Sequence, residues 1–175
     1  EGVSFRWRPF NVRVIMTEQN NIPFAGKPVK AAYMWRDVER RAALHDLPIR
    51  LPVPAPLENL PLANQVALLG MKEGWGEAYT VEAYRLWFQD GHLAGSEPNL
   101  SDALRRIGQD PTRIIEMASA PEMVAALAAE TEAIKQAGVF GSPSFVVDGE
   151  VFWGDDRLDD AVQWSRYGTM RGARR

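Results

Sequence analysis

The hydrophobic pattern of the chain starts with a period of two, lengthens to a helical period, and returns to two near residue 144. Val3-Ser4-Phe5-Arg6-Trp7-Arg8-Pro9 alternates apolar and polar side chains and stops at proline, which predicts a strand. Residues 10–25 predict a short helical turn followed by the polar loop Thr17-Glu18-Gln19-Asn20-Asn21. From Pro28 to Asp46 the spacing is helical: Ala31, Met34, Trp35, Val38 and Ala42 share one face, and Lys30, Tyr33, Asp37 and Arg40 form a polar stripe. Pro28 suits a first helical turn, and Pro48 ends the run. Prolines 48, 52, 54, 56 and 61 then demand an extended connection outside any sheet.

Helices dominate the next stretch. Leu62 to Gly74 is predicted as one, weakened at Gly70; Glu77 to Asp90 is another, whose Tyr79, Tyr84, Trp87 and Phe88 read as helix core. Asn99-Leu100-Ser101-Asp102 reads as a capped helix start. In Pro121 to Ala137, Met123, Val124, Leu127, Thr131 and Ile134 repeat at helical spacing. Ser144-Phe145-Val146-Val147 and Glu150-Val151-Phe152-Trp153 are strand-like runs joined by Asp148-Gly149, a pair that tolerates the positive φ angles of a tight hairpin. Gly154-Asp155-Asp156 leads into a last helix, Arg157 to Arg166, with the aspartates positioned as caps. No internal repeat or low-complexity tract interrupts the chain.

Composition narrows the function. At 175 residues and 46% hydrophobic content, the chain can bury a core without disulfides or metal. The net charge of −3 carries no signature of a nucleic-acid binder, and the short basic tail 171–175 reads as a solvated end. There is no cysteine, so any thiol chemistry must use a thiol that a ligand supplies. His45 and His92 stand far apart and neither has a second histidine at helical ligand spacing, which argues against a histidine metal site. No membrane-spanning or signal-like run is present, giving a cytoplasmic expectation.

Two short segments hold the candidate chemistry. In Gly138-Val139-Phe140-Gly141-Ser142-Pro143-Ser144-Phe145, a proline directly precedes a strand. Sequence alone leaves its bond open between trans and cis, and only about one X-Pro bond in twenty is cis. In Phe152-Trp153-Gly154-Asp155-Asp156-Arg157-Leu158, the aspartates are either helix caps paired with Arg157 or carboxylates offered to an amino acid-like ligand beside free helix N–H groups.

These segments, together with Asn20-Asn21-Ile22-Pro23-Phe24 and the run from Lys30 through Tyr33-Met34-Trp35-Arg36-Asp37 to Arg40-Arg41-Ala42, resemble the 2-hydroxychromene-2-carboxylate isomerase family, relatives of kappa-class glutathione transferases. The resemblance covers nearly the whole chain. It implies an α/β fold: a DsbA-like thioredoxin domain, residues 1–14 and 138–170, interrupted by an all-helical insertion, residues 15–137, with 171–175 as a tail. It also implies that the first strand and part of the first helix, roughly 25 residues of ordinary element size, precede Val3 and are missing from this chain. The natural protein is therefore expected to be longer.

The activity implied is glutathione-dependent isomerisation of a small aromatic substrate. Glutathione adds its thiolate to the unsaturated chromene, the ring opens, a bond rotates, and glutathione leaves with a benzylidenepyruvate formed. By resemblance, glutathione is held at Ser142 and Pro143, where a cis-proline would open the backbone to strand addition, and at Trp153, Gly154, Asp155 and Asp156. Asn20 or Asn21 would contact substrate, although loop-turn asparagines fit equally well. Lys30, Arg36 and Asp37 read more simply as a solvated helix face. The family's catalytic serine belongs to the missing loop; Ser4, Ser142 and Ser144 are not its equivalents. A substrate-holding tyrosine of the family has no counterpart near Ala55-Pro56. The resemblance further implies a homodimer. Its alternatives are a kappa-like glutathione transferase, or a non-catalytic thioredoxin-like binding domain if no serine loop exists.

Overall fold

The computed structural model describes residues 2–22, 24 and 26–170. Among them the regular elements are α1 (Val12–Glu18), α2 (Pro28–Leu44), α3 (Leu60–Glu73), α4 (Gly76–Arg85), α5 (Asn99–Arg106), α6 (Pro111–Ser119), α7 (Pro121–Gln136), β1 (Ser144–Val147), β2 (Glu150–Trp153) and α8 (Leu158–Tyr167). A π-helical turn, Leu86–Asp90, extends α4, and a 3-10 turn, Asp155–Arg157, leads into α8. The helical insertion and the hairpin–helix ending match the architecture expected from the sequence.

Helices α3 to α7 enclose the larger core, built on Val66, Leu69, Tyr79, Leu86, Leu100, Leu104, Ile114, Ala118 and Leu127. Helix α3 is enclosed on all sides from Gln65 to Gly70, while α4 to α7 each turn one face toward the core, so no single helix is stable without its neighbours. Gly70, expected as a weak point of α3, is instead where α3 and α4 cross: an added Cβ would lie 2.6 Å from the Trp75 ring and 2.7 Å from Gly76 Cα. Only glycine permits that approach.

A smaller core, Ile15, Ile134 and Val139 flanked by Phe10 and Val151, joins α1 and the end of α7 to the hairpin. Helix α7 is the element common to both cores, since Met123 and Leu127 enter the first and Ile134 the second. Polar ties run along the same helix. Arg8 Nε donates to Glu130 at 2.6 Å, the Asn11 N–H donates to Thr131 Oγ1 at 3.0 Å, and Lys135 pairs with Glu18 at 2.8 Å. The hydrogen bond to Glu130 holds the Arg8 guanidinium above its ordinary pKa.

The hairpin forms as predicted. β1 and β2 are antiparallel with Ser144 opposite Trp153 and Val147 opposite Glu150, and Asp148 and Gly149 take φ values of +49° and +85°.

Several expectations are corrected. Residues 3–9 form no strand: an extended segment becomes one only by pairing its N–H and C=O groups, and the sheet of the described residues has two strands, β1 and β2. The segment is tied down through Arg8 and through Phe5, whose ring meets Phe145 edge-on at 6.3 Å. Residues 111–119 form α6, which the apolar pattern did not predict. Asn99 does not cap α5; fully buried, its amide donates to the Ala83 and His92 carbonyls, both at 2.9 Å. Of the aromatic set read as core, Tyr79 is buried but Tyr84 is 56% exposed, in a surface cluster with Trp87 and Phe88.

The proline-rich run has no helix or strand between residues 47 and 57. It is strapped to the π-turn by the Arg50 N–H donating to Phe88 O at 2.7 Å and Trp87 Nε1 donating to Pro54 O at 2.8 Å. No helix of the described residues is long and apolar enough to cross a membrane. The tail 171–175 lies outside the described residues.

Candidate functional site

The two chemistry-bearing segments meet at the open end of the hairpin. The Ser142–Pro143 bond is cis, the alternative that the thioredoxin-like arrangement favours over the general preference of X-Pro bonds. The Gly154 N–H donates to the Pro143 carbonyl at 3.0 Å, one step beyond the Ser144–Trp153 pair, so residues 142–143 and 153–156 are held side by side. The Ser144 hydroxyl turns back to the Gly141 carbonyl at 2.8 Å and braces the loop. Ser142 and Pro143 are exposed, and no hydrogen bond within the described residues engages the Ser142 N–H or C=O. This is an unpaired peptide edge of the kind that accepts an extended ligand.

Trp153 forms the wall beside that edge. Its indole packs edge-on against Phe140 at 5.1 Å, yet 54% of the residue is exposed. Gly141 lies directly under it: a Cβ there would come 2.9 Å from Trp153 Cδ1 and Cε2. A glycine is therefore required for the indole to lie flat over the loop.

Asp155 and Asp156 open the 3-10 turn, both exposed, and the turn has no side-chain N-cap. The capping role expected of them is corrected. Asp155 Oδ2 accepts from Arg41 Nε of α2 at 2.6 Å, and Arg157 pairs with Asp160 at 2.8 Å rather than with either aspartate. The Arg41 guanidinium is pushed above its ordinary pKa, first by that hydrogen bond, then by the charges of Asp155, Asp156 and Asp37. Arg41 is a site neighbour that sequence reasoning missed. One signal existed: it falls in line with Met34 and Val38 on the inward face of α2, an unusual place for an arginine.

Asn20 and Asn21 make local contacts at the end of α1. They close α1, the Asn20 N–H donating to Thr17 O at 3.0 Å and the Asn21 N–H to Met16 O at 2.8 Å. Both are exposed, and no hydrogen bond joins them to residues 142–156. Asp37 pairs with Arg40 at 3.7 Å and Arg36 with Glu39, both within α2, while Lys30 stands 6.0 Å over the Phe24 ring. That is the solvated face expected. Among the described residues no three His, Asp or Glu side chains group to hold a metal ion.

The hairpin with its cis-proline edge and the following helix, with a helical block inserted ahead of it, agrees with what comparison finds. The DSBA-like thioredoxin domain matches residues 1–163. The chain belongs to this family. A curated relative, 2-hydroxychromene-2-carboxylate isomerase of Sphingobium xenophagum, is 28% identical over 165 residues, covering 90% of this chain and 80% of the relative. Among solved structures, a selenomethionine-labelled 2-hydroxychromene-2-carboxylate isomerase superposes with a TM-score of 0.81 at 21% identity. The match covers 93% of this chain and 79% of that one, and at that identity it speaks to the fold alone.

Proposed function

We propose that this protein is a glutathione-dependent isomerase acting on a 2-hydroxychromene-2-carboxylate-like product of aromatic catabolism. The observation that carries the proposal is the unpaired Ser142 peptide edge beside an uncapped, carboxylate-bearing turn, in a chain without a cysteine of its own. Its similarity to the Sphingobium isomerase supplies the substrate class.

The residues present fit a tripeptide with an amino acid-like end. The free N–H and C=O of Ser142 suit the cysteinyl peptide unit, as in the addition of a strand to a sheet edge. The exposed carboxylate of Asp156, without an ion-pair partner among the described residues, suits the γ-glutamyl ammonium. The exposed Trp153 indole, packed on Phe140, offers an aromatic surface beside the Ser142 edge. When bound, glutathione supplies a thiol that adds reversibly to an unsaturated carbon and is regenerated. The chain's own residues bind and orient; no side chain of the described residues is assigned to activate the thiol.

The test is a reaction of the full-length protein with 2-hydroxychromene-2-carboxylate, with and without glutathione. Formation of the benzylidenepyruvate is followed by absorbance, and total free glutathione is assayed before and after. Conversion that requires glutathione and leaves its amount unchanged is expected. Conversion without glutathione would refute the proposal, and stoichiometric loss of glutathione into a product would make the protein a transferase instead.

A further inference from the structure

Asp155 and Asp156 stand side by side at the tip of the site, and two adjacent carboxylates are a poor receptor for a ligand end that carries its own carboxylate. A γ-glutamyl group has both an ammonium and an α-carboxylate; the tip as written in the sequence would attract the first and repel the second. The structure resolves the conflict through a residue from another part of the chain. Arg41 Nε is 2.6 Å from Asp155 Oδ2, across 114 positions of sequence. Arg41 Nη2 stands 3.5 Å from His45 Nε2, while Nη1 has no partner among the described residues. Asp155 is thus neutralised, Asp156 remains open, and an unengaged N–H of the guanidinium stays beside them.

Resting on the glutathione reading above, we propose that Arg41 is a specificity-determining residue: it makes the site select thiol peptides whose γ-glutamyl end bears both a free ammonium and a free α-carboxylate. Arg41 offsets the charge of Asp155 and offers its free N–H to the ligand carboxylate, and Asp156 meets the ammonium. The planar fork of arginine can hold two oxygens at once, which a lysine ammonium does with less directional control. The contact also joins α2 of the helical block to the hairpin–helix turn.

Titration calorimetry on the full-length protein tests this with two probes, glutathione and cysteinylglycine, the latter lacking the γ-glutamyl residue. Wild type should prefer glutathione. Arg41→Met should weaken glutathione binding by about five- to tenfold, the scale of one charge-assisted hydrogen bond discounted for exposure, and leave cysteinylglycine within about twofold. Adding Asp155→Asn to Arg41→Met should recover part of the loss, because the uncompensated carboxylate is gone. Arg41→Lys, which keeps the charge without the fork, should fall between wild type and Arg41→Met and guards against a methionine variant that fails to fold. If wild type binds neither probe, the glutathione reading itself fails. If wild type binds glutathione while Arg41→Met weakens both probes equally, or neither, the role of Arg41 is overturned and the glutathione reading stands.

Discussion

Tyr79 offers a perturbation whose sign follows from the fold alone. Its ring is 1% exposed, packed edge-on against Trp75 at 6.3 Å, and its hydroxyl has no hydrogen-bond partner. Burial, aided by the charge of Glu97, pushes the phenol pKa well above its ordinary value. Tyr79→Phe removes the hydroxyl and keeps the ring contacts. A buried hydroxyl without a partner costs about 1–3 kcal/mol, and the small void left behind returns part of that. The variant should therefore be more stable by about 1 kcal/mol, raising Tm by about 2–4 °C for a chain of this size. The pH dependence carries a second signature. The fold holds the phenolic proton more tightly than the unfolded chain does, so the unfolded state loses it first as pH passes about 10. Stability from this group is complete below that pH and falls above it, by up to about 1.4 kcal/mol per pH unit, until the folded phenol ionises too. Urea unfolding of wild type and Tyr79→Phe from pH 7 to 11 measures both effects, and the other titrations cancel in the difference. A variant destabilised by 1 kcal/mol or more, or a difference that does not change above pH 10, would refute the reasoning and mean that the hydroxyl has a partner such as an ordered water.

Two other substitutions probe the packing on which the site rests. Leu104→Ala, at a fully buried position of the larger core, should cost about 2–5 kcal/mol in urea unfolding; a cost under 1 kcal/mol would mean that the helical block is not packed as described. Gly141→Ala should force the Trp153 indole away from the loop, costing about 1–3 kcal/mol and lowering glutathione affinity in calorimetry; unchanged stability and affinity together would contradict the close approach.

What the sequence made legible is local, and what it hid is tertiary. Asp148-Gly149 fixes its own turn, so the hairpin and its register follow from adjacent residues. Helix α7 is equally self-announcing, because its inward face, Met123, Leu127, Thr131 and Ile134, repeats at helical spacing along its length. The alternation of residues 3–9 is just as regular, yet a strand is a property of two segments and the second is not supplied by the described residues. Helix α6 carried a usable signal, overlooked in the apolar pattern: Asp110 caps the Thr112 N–H at 3.0 Å, Pro111 opens the first turn, and Ile114 and Ala118 are buried one turn apart. At the site, the pairing of residues 142–143 with 153–156 was readable because a hairpin joins them. Asp155 looked like a cap because caps are local; its partner Arg41 lies 114 residues away, and only the folded chain brings the charges together. Asn99 misled for the same reason: a residue type that favours helix starts is used here to satisfy carbonyls inside the core.

The most direct check of the account is a crystal structure of the full-length protein grown with glutathione. The cysteinyl peptide unit is expected to pair with the Ser142 backbone, with the γ-glutamyl end between Asp156 and Arg41. A tripeptide bound elsewhere on the molecule, with the Ser142 edge bare, would contradict it.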